Sequence, residues 1–326
     1  MANKLCETLQ IRLPIVQGGM GNISSPELTA AISEAGGLGT LGVGTMTPEE
    51  AEQKISAVKK LTDKPFAVNI PLKVTPYLKE VLGLAVQYGV PVLSLSAGNP
   101  APYIARLKEN GIKVIAVSST VRQAQKAEAG GADIIVAEGF EAAGINSPKE
   151  LTTLTLIPQI VKAVSIPVVA AGGIADGKGL AAMLALGAAG VQMGTRFITV
   201  KEAPFHANYK NTVLEADELR TVVVGRSSGK VRRLLRTPYA EKLLELENNR
   251  ISPEEFDRHT SEKQHCLGAL GGDLENGFIN GGQIAGYIED EPSAAELLET
   301  MMEEAKRTLR SASDALNESF SKGGLA

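Results

Sequence analysis

The chain has no tryptophan, two cysteines and three histidines in 326 residues. Cys6 and Cys266 stand far apart, without metal-site spacing, and read as buried free thiols in a reducing cytoplasm. The histidines, His206, His259 and His265, all fall in the last part of the chain and form no metal-ligand cluster. No apolar run approaches the length of a membrane span. The opening MANKLCETLQ lacks the apolar core and small-residue cleavage site of a signal peptide. A net charge of −4 and a pI near 5.6 leave no basic footprint for nucleic acid. The expectation is a soluble, cytoplasmic protein with neither a membrane nor a nucleic acid as partner.

What the chain does have is glycine, 34 residues of it, placed after apolar runs. The most telling stretches are VVAAGGIADG at 168–177 and GVQMGTRF at 190–197. Each is a β-branched run ending in glycine, as a buried parallel strand leading into an open turn would be. Between them KGLAAMLAL, 178–186, has the composition of a crossover helix. Earlier units repeat the scheme. Strands are predicted at 15–20, 38–44, 66–70, 92–97, 113–117 and 133–137, with helices between them. Ser24-Ser25-Pro26-Glu27 and Thr47-Pro48-Glu49-Glu50 are helix-start signals. Eight strand–helix units predict a TIM (β/α)8 barrel, with an open doubly wound sheet as the structural alternative.

After Phe197 the pattern changes. Residues 204–275 read as a smaller, mostly helical lid insertion, so the barrel takes 1–203 and 276–326. Within the lid, GRSSGKVRRLLR gathers Arg226, Lys230, Arg232, Arg233 and Arg236. This run reads as a solvated helix face, with contact to cofactor or substrate phosphates as the functional alternative. His259 and His265 read as solvated, and His206 as structural, capping or packing against the lid. A long helix is predicted from Ser293 to about Leu316, with SKGGLA as a frayed end.

A barrel's strand ends converge on one mouth. Here that mouth receives glycine, amide and hydroxyl, few acids, no nucleophile–histidine pair and no Schiff-base lysine. Such a lining suits an enzyme whose cofactor supplies the reactivity. Asn69 and Gln192 match the edge of an isoalloxazine; Gly172-Gly173 and Gly194-Thr195 match a phosphate. Any single glycine is adequately explained by a tight turn. Glycines after almost every strand favour a ligand.

QGGMGNISSPELTAAISEAGGLGTLG, FAVNI, AEGFEAAG, IPVVAAGGIADG, VQMGTRF and GGQIAG, in this order, resemble the nitronate monooxygenase family, once called 2-nitropropane dioxygenases. A close relative is the FMN-dependent enoyl-acyl carrier protein reductase II. The resemblance covers essentially the whole chain and implies one FMN. Its phosphate would be held by Gly173, Gly194 and Thr195 and its ring would lie near Gly18, Met20, Asn69, Glu138 and Gln192, with Gly19, Gly144, Gly172 and Met193 as further cofactor-binding candidates. The resemblance implies oxidation of alkyl nitronates with O2. The alternatives are an NAD(P)H-dependent reductase of an enoyl thioester or quinone, and a non-catalytic flavin- or phosphate-binding barrel. The substrate would be a small molecule or an acyl thioester, and a homodimer is among the assemblies it allows.

One departure stands out. The families carry a histidine after the strand-six glycines, in a pattern like EAGGH. Here the loop reads Glu141-Ala142-Ala143-Gly144-Ile145-Asn146. Asn146 is the candidate substrate-orienting residue, but neither it nor Ile145 titrates near neutral pH.

Overall fold

The structure, a computed structural model, describes residues 3–323. Eight parallel strands run in sequence order around a barrel: β1 (Ile15–Gln17), β2 (Gly39–Gly42), β3 (Phe66–Pro71), β4 (Val92–Ser96), β5 (Lys113–Ser118), β6 (Ile134–Glu138), β7 (Val168–Ala171) and β8 (Gly190–Met193). β8 pairs with β1 through Ile15–Val191 and Gln17–Met193. The ring is completed between β1 and β2 by one parallel bridge, Val16–Leu38. There the Leu38 N–H donates to Ile15 and the Gln17 N–H to Leu38, each at 2.9 Å. The predicted TIM barrel is therefore the fold, and the open-sheet alternative falls with that closure.

Side chains alternate across each strand, which divides the core in two. Val16, Leu38, Ala67, Val92, Ile115, Ile134, Val136, Val169 and Ala171 fill the barrel axis. The opposite faces of the same strands, with Ile15, Leu41, Val68, Leu93, Val114, Ile135 and Val191, pack under the helices. Helix starts follow the local signals. Ser25 Oγ accepts the Leu28 N–H at 3.0 Å. Thr47 and Glu50 cap each other's backbone at Pro48–Leu61, an arrangement contributing about 1 kcal/mol.

Beyond β8 the chain forms helix Ala207–Leu214 and then a hairpin of β9 (Thr221–Val224) and β10 (Arg232–Leu235). Helices Pro238–Asn248, Pro253–His259 and Glu262–Ala269 follow. The hairpin corrects the reading of 226–236 as a helix face. β10 also pairs antiparallel with a two-residue strand, Gly144–Ile145, in the loop after β6. Val222, Val224, Leu234, Tyr239, Leu243, Phe256 and Phe278 make a separate apolar cluster there.

The last helix, Ala294–Gly323, runs past the expected end near Leu316, and the rest of the predicted frayed tail lies outside the described residues. It docks on helix Gly177–Ala185 so closely that a Cβ at Gly177 would lie 2.4 Å from the Met301 carbonyl and 2.6 Å from Glu304 Cβ. Gly177→Val should therefore lose about 1–3 kcal/mol in urea denaturation, as overpacked sites do. A midpoint equal to wild type would refute this backbone-close docking.

Candidate active site

Strand alternation decides what faces the mouth. On β6, Ile134 and Val136 point to the axis while Ile135 and Ala137 point to the helices, so Glu138 ends the inward series. By the same count Asn69 follows Ala67 inward on β3. Gln192 lies between Val191 and Met193, which both pack outward. In register, Glu138 pairs with Ala171, and Ala171 with Gln192. Asn69 sits between Gly42 and Ser94. The axis thus ends in a floor of two amides, two serines and one carboxyl.

Asn69 is fixed. Its Nδ2 donates to the Ser94 carbonyl at 3.1 Å, to Ser94 Oγ at 3.2 Å and to Ser96 Oγ at 3.3 Å. A Cβ at Gly19 would stand 2.4 Å from Asn69 Oδ1, so only glycine lets the β1 turn cross this amide. Gly18 donates its N–H to the Met193 carbonyl at 2.8 Å and lies beside Gln192, whose Nε2 would be 3.5 Å from a Cβ there. Met20 is half-buried against the helix-side core. Met193 buries its side chain in that core, so it meets the mouth through backbone alone.

The Glu138 side chain makes no hydrogen bond among the described residues. It is partly reachable by solvent but deep in the mouth, and burial, with no charged neighbour contributing, pushes its carboxyl up to about 7.

At the ends of β7 and β8 the chain opens a concave stretch of backbone. Gly172 (φ +103°) and Gly173 (φ +71°) both adopt left-handed conformations. A Cβ at Gly172 would also press to 2.9 Å from Thr153 Oγ1. At Gly194 nothing lies within 4 Å of where a Cβ would stand. Thr195 is buried, and its Oγ1 accepts the Gly282 N–H at 2.9 Å, leaving its own hydroxyl hydrogen to donate. Because β7 and β8 are paired neighbours, with Ala171 opposite Gln192, Gly172-Gly173 and Gly194-Thr195 follow adjacent strand ends.

The loop after β6 is held rather than free. Glu141 accepts from the Thr153 N–H (2.9 Å) and from Thr153 Oγ1 (2.9 Å), capping helix Thr153–Ala163. Asn146 folds back: its Nδ2 donates to the Ala142 carbonyl at 2.7 Å, and its N–H to Val231 at 2.9 Å. Gly144 takes φ +73° and lies against Asn280. Arg233, buried on β10, donates to the Phe140 carbonyl from Nε (3.1 Å) and Nη2 (3.0 Å) and covers the Phe140 ring at 4.8 Å. Arg226, Lys230 and Arg236 are the exposed members of the basic run, and each is paired, with Glu150, Asp257 and Glu241.

The lid histidines divide. His206 caps helix Ala207–Leu214, its Nδ1 accepting from the Asn208 N–H at 3.1 Å, as expected. His259 is half-buried beside the Tyr239 hydroxyl, and His265, expected in solvent, is 1% exposed. The His265 ring stacks on Phe278 at 5.1 Å, and its Nε2 meets Asn280 Nδ2 at 3.0 Å. Its Nδ1 stands 3.5 Å from Glu262 Oε2 without a hydrogen bond. Burial works against ionised Glu262. His265, Arg232 and the Asn22 N–H (3.2 Å) outweigh it and hold the carboxyl below its ordinary value. Glu262 thus reaches the turn after β1 and Asn280 lies against the loop after β6. Nothing in the sequence marks this set except its residue types.

A closed parallel barrel with a glycine cradle after β7 and β8, above a polar floor poor in acid–base groups, is the architecture of an enzyme whose cofactor carries the reactivity. The family model described as nitronate monooxygenase matches residues 2–304. A probable nitronate monooxygenase of Staphylococcus saprophyticus is 36% identical over 76% of this chain and 82% of its own length. An indene-carboxyl-CoA dehydrogenase of Mycobacterium tuberculosis is also 36% identical, over 95% of this chain and 97% of its own. Among solved structures, FabK of Thermotoga maritima superposes with a TM-score of 0.92 at 40% identity, covering 97% of this chain and 99% of that one. A nitroalkane oxidase of Streptomyces ansochromogenes gives 0.83 at 28%, covering 94% and 99%. The chain belongs to the nitronate monooxygenase family and is a flavin-dependent oxidoreductase.

The Glu138 carboxyl links the floor to pH. Near pH 4 both folded and unfolded chains hold its proton. From its ordinary value of 4.5 up to about 7 only the unfolded chain releases it, so stability falls as pH rises and levels off above. Flavin-free Glu138→Gln should match wild type in denaturation at about pH 4 and exceed it at about pH 8 by on the order of 3 kcal/mol at most. An equal difference at both pH values would contradict a buried, unpartnered carboxyl.

Proposed function

We propose that the protein binds FMN in this mouth and oxidises alkyl nitronates with molecular oxygen. The observation that carries the reaction is the loop after β6, which brings no free titratable group to the mouth. Asn146 is turned onto Ala142 and Glu141 is spent on Thr153. A nitronate is already a carbanion and needs no base from that loop.

The cofactor fits the residues present. Gly172, Gly173, Gly194 and Thr195 would hold the phosphate: nothing lies within 4 Å of where a Cβ at Gly194 would stand, and the Thr195 hydroxyl hydrogen is left to donate. Asn69, Glu138 and Gln192, with Gly18, Gly19 and Met20, underlie a flat ring, while Met193 and Gly144 contribute backbone. Bound there, FMN supplies the redox centre. The chain's own work is to hold it, to orient the substrate and to exclude water with the 204–275 lid, for which Asn146 and the β10 strand shape the entrance. In this reading the enzyme is cytoplasmic, with no nucleic acid partner.

A second reading, an NAD(P)H-dependent enoyl-thioester reductase, is favoured by the likeness to FabK over nearly the whole of both chains. Anaerobic mixing of the yellow protein with propyl-2-nitronate, NADH or NADPH separates the two. Loss of the flavin band with nitronate alone is expected; loss with a pyridine nucleotide but not with nitronate would replace the first reading by the second. Gly194→Asp places a carboxylate in open space where it clashes with nothing, so it should fold normally yet bind FMN at least about 100-fold more weakly. Full flavin occupancy in that variant would displace the phosphate from this cradle.

A further inference from the structure

Arg232, the first residue of β10, is a buried charge without a partner. It is 8% exposed, yet its side chain makes no hydrogen bond and no ion pair among the described residues. A guanidinium carries five N–H donors, and withdrawing them from water without acceptors is costly. The group rests on the Phe278 ring at 4.9 Å, a contact that uses its face and none of its N–H groups. Burial lowers its proton affinity, and the charges of Glu262 and Asp257 oppose that shift without touching it. Asp257 is bound to Lys230, and Glu262 is turned to the Asn22 N–H. The other cations of the hairpin are engaged too, Arg233 at the Phe140 carbonyl, Arg226 with Glu150 and Arg236 with Glu241.

Strand register places this group at the edge of the mouth. Residues directly opposite each other in an antiparallel pair carry their side chains on one face. Arg232 stands between Val224 on β9 and Ile145 in the loop after β6. Val224 is fully buried in the apolar cluster around Phe278, while Ile145 is 47% exposed. The row therefore runs from a closed core to open space, with the guanidinium between them. Glu262, whose charge Arg232 feels, meets the turn after β1, where a Cβ at Gly21 would lie 2.9 Å from its Oε2. Two rim elements thus border the group.

We propose that Arg232 anchors the substrate, its guanidinium taking the two oxygens of a nitronate as a bidentate pair. The inference rests on the reading of this mouth as a nitronate site. A nitronate is planar and spreads its negative charge over two oxygens on one nitrogen, as a carboxylate does on carbon. The guanidinium fork matches such a pair with two parallel N–H···O bonds. Binding gives the buried charge its counterion and fixes the direction in which the substrate carbon points. A lysine would attract the anion as a point charge without that orientation. A nucleotide phosphate offers related oxygens, so the experiment separates the two.

The test uses the FMN-loaded enzyme, with FMN affinity measured for every variant and nitrate, a planar oxyanion, as the probe. In wild type nitrate should compete with propyl-2-nitronate and shift the absorbance of the oxidised flavin. Methionine, apolar and unbranched, can lie on Phe278 in the arginine's place, so Arg232→Met should fold. It should raise the KM for the nitronate about 10- to 100-fold, leave kcat within about threefold and abolish competition by nitrate. Arg232→Lys should recover part of the KM. Nitrate that fails to compete in wild type overturns the inference whatever the variants do. So does Arg232→Met if it keeps that competition, if it loses FMN, or if the KM for NADH or NADPH rises instead of that for the nitronate. A wild type inert to the nitronate overturns the proposed function. The nitrate-induced flavin shift then decides the oxyanion site alone: present in wild type and absent in Arg232→Met it stands, and otherwise it falls.

Discussion

Closure of the barrel is the constraint on which the site depends. Once β1 meets both β8 and β2, each strand has one face inside a cylinder too narrow for anything but its own side chains. The lower layers of that cylinder are apolar, from Val16 and Leu38 through Ile134 and Val169. Polar side chains can end the inward series only where water or a ligand can reach them, at the strands' C-terminal ends. Asn69, Ser96, Glu138 and Gln192 stand there. The mouth's chemistry is therefore set by strand register: a one-residue slip on β6 would carry Glu138 among the helices and Ala137 into the floor.

Residues 204–275 are joined to the rim of the mouth by polar contacts rather than by apolar packing alone. Arg233 grips the Phe140 carbonyl with two N–H groups, and its guanidinium lies on the Phe140 ring. Glu262 takes the Asn22 N–H on the far rim. Between these anchors, His265 and Asn280 occupy a largely enclosed space in which an imidazole is tolerated because Phe278 stacks on one face and Asn280 bonds one nitrogen. Within this set Arg232 and Glu262, both withdrawn from water, face each other, and the charge of each favours that of the other.

Most of the barrel was legible because its signals are local. Ser25 and Thr47 each cap the helix they precede, and every barrel strand lies within or near its apolar run. The glycine pair at 172–173 was legible for the same reason, since a left-handed backbone is a property of one position. The lid was not. Charged residues usually face water, which made the Arg226–Arg236 run look like a solvated helix. Arg232 and Arg233 are buried because Phe278 and Phe140 supply aromatic faces to them from elsewhere in the chain. His265 escaped for the same reason, its partners Phe278 and Asn280 lying on another segment. Met193 sits next to the cradle in sequence, yet strand alternation turns its side chain away.

The pairing of β10 with Gly144–Ile145 bears on the lid's autonomy. Its small sheet takes β9 and β10 from the lid and its third strand from the barrel. A lid segment excised from the chain would carry β10 as an open edge, with the backbone groups of Arg232 and Arg233 unpaired and available to any other strand. The barrel, in turn, would keep its eight strands but lose the clamp on the loop after β6. One small sheet thus joins residues 221–235 to the loop after β6 at the mouth.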